Sequence, residues 1–140
     1  MSMNHFYGVA KVNSRGQIGI PKQAREDFAL NSGDNLALLV GVLPHSKDAI
    51  MLMKAEEWYG VPESAPIKNS KNREFGGLVK LAERGQIVIP KKIREQIGIT
   101  SGLQILVLSH EKTHSLVLAL LNQDAVGKWA ENMIGRSNND

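Results

Sequence analysis

With 140 residues, 42% of them hydrophobic and 22% charged, the chain has the make-up of an ordinary globular protein, neither disordered nor fibrous. Its formal charge is only +3, but basic residues gather in two stretches, 11–25 and 80–94, the footprint of a polyanionic partner. The absence of cysteine excludes disulfides and thiolate metal sites. No apolar run reaches bilayer length and residues 1–6 lack a secretory pattern, so a cytoplasmic protein without a membrane role is expected.

An internal repeat organises the chain. Offsetting the sequence by 69 positions aligns 8–40 with 77–109 without a gap, and 14 of the 33 positions are identical. They include Lys11/Lys80, Arg15/Arg84, Gly16/Gly85, Gln17/Gln86, Pro21/Pro90, Lys22/Lys91, Arg25/Arg94 and Ser32/Ser101. Apolar residues exchange for apolar ones between them (Val12/Leu81, Phe28/Ile97), which composition alone does not produce.

In chain order, each copy opens with an alternating segment that predicts a strand, 9–12 in the first copy. A turn at 13–16 (82–85 in the second copy) leads to a short strand at 17–20 (86–89), whose isoleucines share one face. Pro21 and Pro90 end that strand and suit the first turn of a brief helix, where a missing N–H costs nothing. Ala24/Phe28 and Ile93/Ile97 form the apolar i,i+4 pairs of these helices, and Gly98 is placed to end the second in a left-handed conformation. A Ser-Gly turn precedes a third strand, 36–40 and 105–108. A fourth follows at 50–53 and 116–121, after a loop three residues shorter in the second copy. Residues 55–59 predict one helical turn, and Val126, Trp129 and Met133 a short amphipathic helix in the tail. The expected organisation is a first unit at 1–59, a linker at 60–76, a second unit at 77–121 and a tail at 122–140.

Each copy holds Lys and Arg around a tight glycine turn and again on the following helix. Such a frame can span phosphates and groove edges, and Arg can pair bidentately with guanine. Gln17 and Gln86, if they face outward, add groups able to read adenine. Duplication doubles the device, and paired reading heads match the repeat of a helical polyanion.

The strings Arg15-Gly16-Gln17-Ile18-Gly19-Ile20-Pro21-Lys22-Gln23-Ala24-Arg25-Glu26 and Arg84-Gly85-Gln86-Ile87-Val88-Ile89-Pro90-Lys91-Lys92-Ile93-Arg94-Glu95 resemble the signature of AbrB/MazE-type domains, also called SpoVT/AbrB or swapped-hairpin domains. The resemblance covers roughly 8–54 and 77–121. It implies a mainly β fold with short helices, in which tandem units form a swapped-hairpin β-barrel with its basic surfaces toward double-stranded DNA. It makes Lys11, Arg15, Gln17, Lys22, Arg25, Lys80, Arg84, Gln86, Lys91, Lys92 and Arg94 the candidate DNA-binding residues. The paired units form either a pseudo-dimer within one chain or a homodimer that exchanges units between chains. Two positions depart from the family pattern. Gly19 replaces the usual β-branched residue, and Leu103 the acidic residue retained as Asp34.

Other constellations carry less. His110-Glu111-Lys112-Thr113-His114 matches H-E-x-x-H in letters, but it joins two predicted strands, whereas zinc chemistry needs both histidines on one helix face. Gly16 and Gly85 lack P-loop and dinucleotide spacing. Glu26 and Glu95 are expected to pair with neighbouring cations. Trp58 and Trp129 read first as packing residues of accessory helices and second as anchors for a partner. With no nucleophile–base–acid set, neither an enzyme nor a cofactor or metal is expected. The leading expectation is a DNA-binding transcriptional regulator. The alternative is an antitoxin gripping a toxin through 127–134, and a third reading is a purely protein-associating barrel.

Overall fold

The computed structural model describes residues 5–41, 49–65, 68, 74–110 and 114–121. The fold is mainly β with short helices. The first copy supplies β1 (Phe6–Lys11), β2 (Gln17–Gly19), α1 (Lys22–Asp27), β3 (Asn35–Val40), β4 (Ala49–Lys54) and α2 (Ala55–Gly60). The second supplies β5 (Glu74–Lys80), β6 (Gln86–Val88), α3 (Lys91–Ile97), β7 (Gln104–His110) and β8 (Ser115–Leu121). Six strands make one antiparallel sheet in the order β1-β7-β8-β4-β3-β5, and β2 pairs with β6 as a separate two-stranded ribbon.

That order reads the same from either end once each strand is exchanged for its repeat mate, so the chain has an internal two-fold. The exact pairings place its axis. Ile18 pairs with Ile87 in the ribbon, and these two are repeat mates. In the sheet Met51 pairs with Val117, mates once the shorter second hairpin is allowed for. The copies interlock around this axis. The first strand of each pairs with the third strand of the other, Ala10 opposite Ile105 and Val79 opposite Leu36. The Ser-Gly turns complete the exchange, since Gly102 donates to the Val12 carbonyl at 2.7 Å and Gly33 to that of Leu81 at 2.8 Å. Neither copy can complete its sheet alone, as expected of units this small.

The closed barrel implied by the family resemblance is not formed by these ladders. Among the described residues β1 and β5 remain the outer edges of an open sheet, and the ribbon lies over its inner face. Between them sits one core drawn from both copies: Ile18, Ile20, Ile87 and Ile89 beneath the ribbon, against Leu36, Leu38, Ile50, Ile105, Val107 and Leu118 from the sheet. The outer face of β3 and β4 is covered as well. Ala37, Leu39, Met51 and Met53 pack there against Trp58, Val61 and Ala65, which explains the nearly continuous apolar run of β3. Trp58 stacks on Phe75 at 5.7 Å between ring centroids and lies under Lys68, so it serves as a packing residue. Within the expected linker at 60–76, Gly60 ends α2, residues 74–76 open β5, and Val61 and Ala65 join the outer cluster.

Helix ends follow the local sequence. Gly98 closes α3 at φ +79°, while its mate Ala29 takes the same left-handed region at φ +51° without glycine's freedom. The expected tail helix with Val126, Trp129 and Met133 lies outside the described residues, as does 127–134.

Candidate nucleic-acid interface

The ribbon and its two flanking turns form the candidate site. In β2 and β6 the isoleucines face the core, so the alternate residues face outward. These are Gln17 and Gly19 on one strand, Gln86 and Val88 on the other, with Gln17 opposite Val88 and Gly19 opposite Gln86. The ribbon continues one step past each strand, for Ile20 donates to the Gly85 carbonyl at 2.8 Å and Ile89 to that of Gly16 at 3.0 Å. The turn of each copy therefore meets the helix start of the other. Arg15 sits at one end beside Pro90 and Lys91, and Arg84 at the opposite end beside Pro21 and Lys22. At ~3.3 Å per residue the two arginines lie on the order of 20 Å apart along the ribbon. Both are exposed.

Spacing along the chain grouped the cations by copy, whereas the fold groups them across copies. The residues that lock this arrangement are Arg25 and Arg94. Arg25 Nε donates to the Ile20 carbonyl at 3.0 Å, and Arg94 Nε to that of Ile89 at 2.9 Å. Each guanidinium then lies flat against the turn glycine of the other copy. A Cβ on Gly16 would stand 2.5 Å from Arg94 Cζ, and one on Gly85 would stand 2.6 Å from Arg25 Cζ. Both glycines also have positive φ, +75° and +79°. Half-buried and committed through Nε, Arg25 and Arg94 position the turns as well as adding charge. Lys11, Lys22, Lys80, Lys91 and Lys92 are exposed.

Two contributors escape the repeat comparison because the copies differ there. Asn13 Oδ1 accepts the backbone N–H groups of Arg15 and Gln17, both at 2.9 Å, and Asn13 Nδ2 donates to Gln17 Oε1 at 2.8 Å. Ala82 stands at the equivalent place and offers no such bonds. Val88 is 49% exposed on the ribbon's outer face, where Gly19 is its mate. The one local sign of Asn13 is the Asn-Ser-Arg-Gly string, a common side-chain-capped turn, which the turn expected at 13–16 left without a named role.

The remaining constellations sort plainly. His110 ends β7 and pairs with Ser115 of β8, and His114 has φ +49°, so the two histidines flank a hairpin and not a helical metal site. Glu95 reaches Lys91 at 4.0 Å, both exposed, whereas Glu26 makes no ion pair among the described residues. Leu103 loses the side-chain cap that Asp34 gives to Asn31 N–H, yet the backbone bond from Leu103 to the Thr100 carbonyl keeps the turn. Away from the ribbon, Asp27 accepts from Tyr7 Oη at 2.7 Å and from Gln23 Nε2 at 2.8 Å. These bonds, with the nearby His5, hold its carboxyl below the ordinary aspartate range.

No family model and no curated protein matches the chain. A solved structure, the solution structure of PHS018 from Pyrococcus horikoshii, is similar at 18% identity and a TM-score of 0.43, covering 87% of this chain and 94% of that one. No helix among the described residues is long and apolar enough to cross a membrane.

Proposed function

We propose that the protein is a DNA-binding transcriptional regulator of the AbrB/MazE type, working as an intrachain pseudo-dimer of two swapped units. The observation that carries this reading is the two-fold ribbon with an exposed arginine turn at each end. A two-stranded antiparallel ribbon fits the major groove of B-DNA, and two-fold symmetry in a protein matches the dyad of a duplex. Outward glutamines supply donor and acceptor groups for base edges, while Arg15, Arg84, Lys22, Lys91 and Lys92 at the ribbon ends neutralise phosphates. The reciprocal exchange of first strands supports the swapped-hairpin part of the assignment, together with the twofold occurrence of the Gly-Gln-Ile-x-Ile-Pro string.

Phosphate contacts of this kind make affinity depend steeply on salt. Titration of the intact chain against its own upstream DNA and a scrambled duplex, at two salt concentrations, tests the proposal. Preference for the upstream DNA, with affinity falling as salt rises, is expected. Equal and negligible binding to both duplexes overturns it.

A further inference from the structure

The two ends of the ribbon are unequal, and every difference points the same way. Because the turn of one copy meets the helix of the other, differences that look evenly shared between the copies add up at one end. The Arg15 end holds Asn13 and Ser14 from the first copy, with Val88 and Lys92 from the second. The Arg84 end holds Ala82 and Glu83 from the second copy, with Gly19 and Gln23 from the first.

Each pair has a physical consequence. Asn13 fixes both the turn backbone and the Gln17 carboxamide through three hydrogen bonds of 2.8–2.9 Å, so Gln17 is held in one orientation before any partner arrives. No side chain at position 82 does this for Gln86. Pre-ordering lowers the entropy lost on binding and penalises a mismatched partner. Val88 lies directly across the ribbon from Gln17, on the same outward face. The carboxamide can pair with adenine N6 and N7, and an exposed aliphatic group beside it suits the thymine methyl. Gly19, opposite Gln86, offers no side chain. Lys92 adds a cation where Gln23 has none, and Glu83 sets an anion next to Arg84 where Ser14 is neutral beside Arg15.

Resting on the proposed DNA-binding function, we infer that the protein reads its site asymmetrically. The Arg15 end selects an A·T pair through Gln17 and Val88, with Asn13 as the positioning residue. The Arg84 end holds the second half of the site by its backbone with little base preference. The operator is then a half-conserved dyad, not a palindrome.

The test is selection of bound duplexes from a random pool, followed by competition titrations with every single base-pair change. In the wild-type protein one half-site is expected to carry a fixed A·T pair, whose replacement weakens binding about 5- to 150-fold, the range of one lost base contact. Changes at the mirror position are expected to have little effect. A second protein, Gly19→Val with Ala82→Asn, transplants the reading end. A Cβ at position 19 meets nothing within 4 Å, so the valine is accommodated. This variant is expected to impose the A·T requirement on the mirror position, and Val88→Gly to relax it on the first. Equal stringency at both halves in the wild type, or a transplant that leaves the mirror position indifferent, overturns the asymmetry while leaving DNA binding intact. Recovery of no duplex at all overturns both readings.

Discussion

The guanidinium of Arg94 lies against the backbone of Gly16, 69 residues and one repeat copy away from its own turn glycine, so closely that a Cβ there would stand 2.5 Å from Cζ. Arg25 repeats the contact on Gly85. These contacts tie each turn to the helix of the other copy and set the geometry of both ribbon ends.

Gly16→Ala should therefore cost more than backbone strain alone. The left-handed conformation costs a non-glycine residue about 1–2 kcal/mol, and displacing Arg94 adds to it. Gly33 at φ +91° has open space where its Cβ would go, so Gly33→Ala isolates the strain. Denaturant unfolding is expected to rank Gly16→Ala as the more damaging by about 1 kcal/mol or more. A double-mutant cycle with Arg94→Ala should recover part of that excess. Strict additivity would show that the contact carries no energy.

Ala29 and Gly98 close equivalent helices in the same left-handed region. Replacing Ala29 by Gly should stabilise the protein by about 0.5–1 kcal/mol, since relief of strain exceeds the added unfolded-state entropy. Gly98→Ala should destabilise it by a similar amount. Thermal melts of the two variants check this, and shifts of the same sign would contradict it.

Asp27 titrates below the ordinary aspartate range chiefly because Tyr7 donates to it, with Gln23 and His5 assisting. A depressed folded-state value means the carboxylate form is favoured by folding. Its contribution is complete above the unfolded value of about 3.9 and is lost as pH falls through the lower folded value. Tyr7→Phe removes the leading cause, so the Asp27 midpoint followed by carboxyl NMR should rise toward the ordinary value. An unmoved midpoint would remove the tyrosine from the account.

Arg84→Ala should weaken binding to the upstream DNA by about 1–3 kcal/mol if the side chain reaches a base edge. If it contacts only phosphate, the loss is uniform across sequences and the salt slope falls by about one. Electrophoretic or anisotropy titrations at several salt concentrations separate these outcomes. No change in affinity, preference or slope would take Arg84 out of the interface.

Much of this fold was legible in the residues. The 69-residue offset, the alternation around Ile18 and Ile87, and the proline after each short strand located the elements to within a residue or two, except that β1 and β5 each begin three residues before the expected strand or unit. The pairing was not legible there, because strand register across copies depends on contacts more than 30 residues apart. Local pattern therefore joined each turn to its own helix, whereas the ladder joins Gly16 to Ile89. Asn13 was hidden for a different cause. The copies differ at position 13, so the shared pattern does not contain it, and such differing positions distinguish the two ribbon ends. Arg25 and Arg94 read only as candidate DNA contacts on the helix surface, since nothing in their spacing reveals the carbonyl five residues back or the glycine across the two-fold.

The most direct test is a backbone-amide NMR titration of the intact protein with its upstream duplex. Binding through the ribbon predicts that shifts concentrate at 13–22 and 82–92 and leave the outer cluster of Ala37, Leu39, Met51 and Met53 unmoved. Shifts confined to that outer cluster, or none anywhere at saturating duplex, would contradict the account.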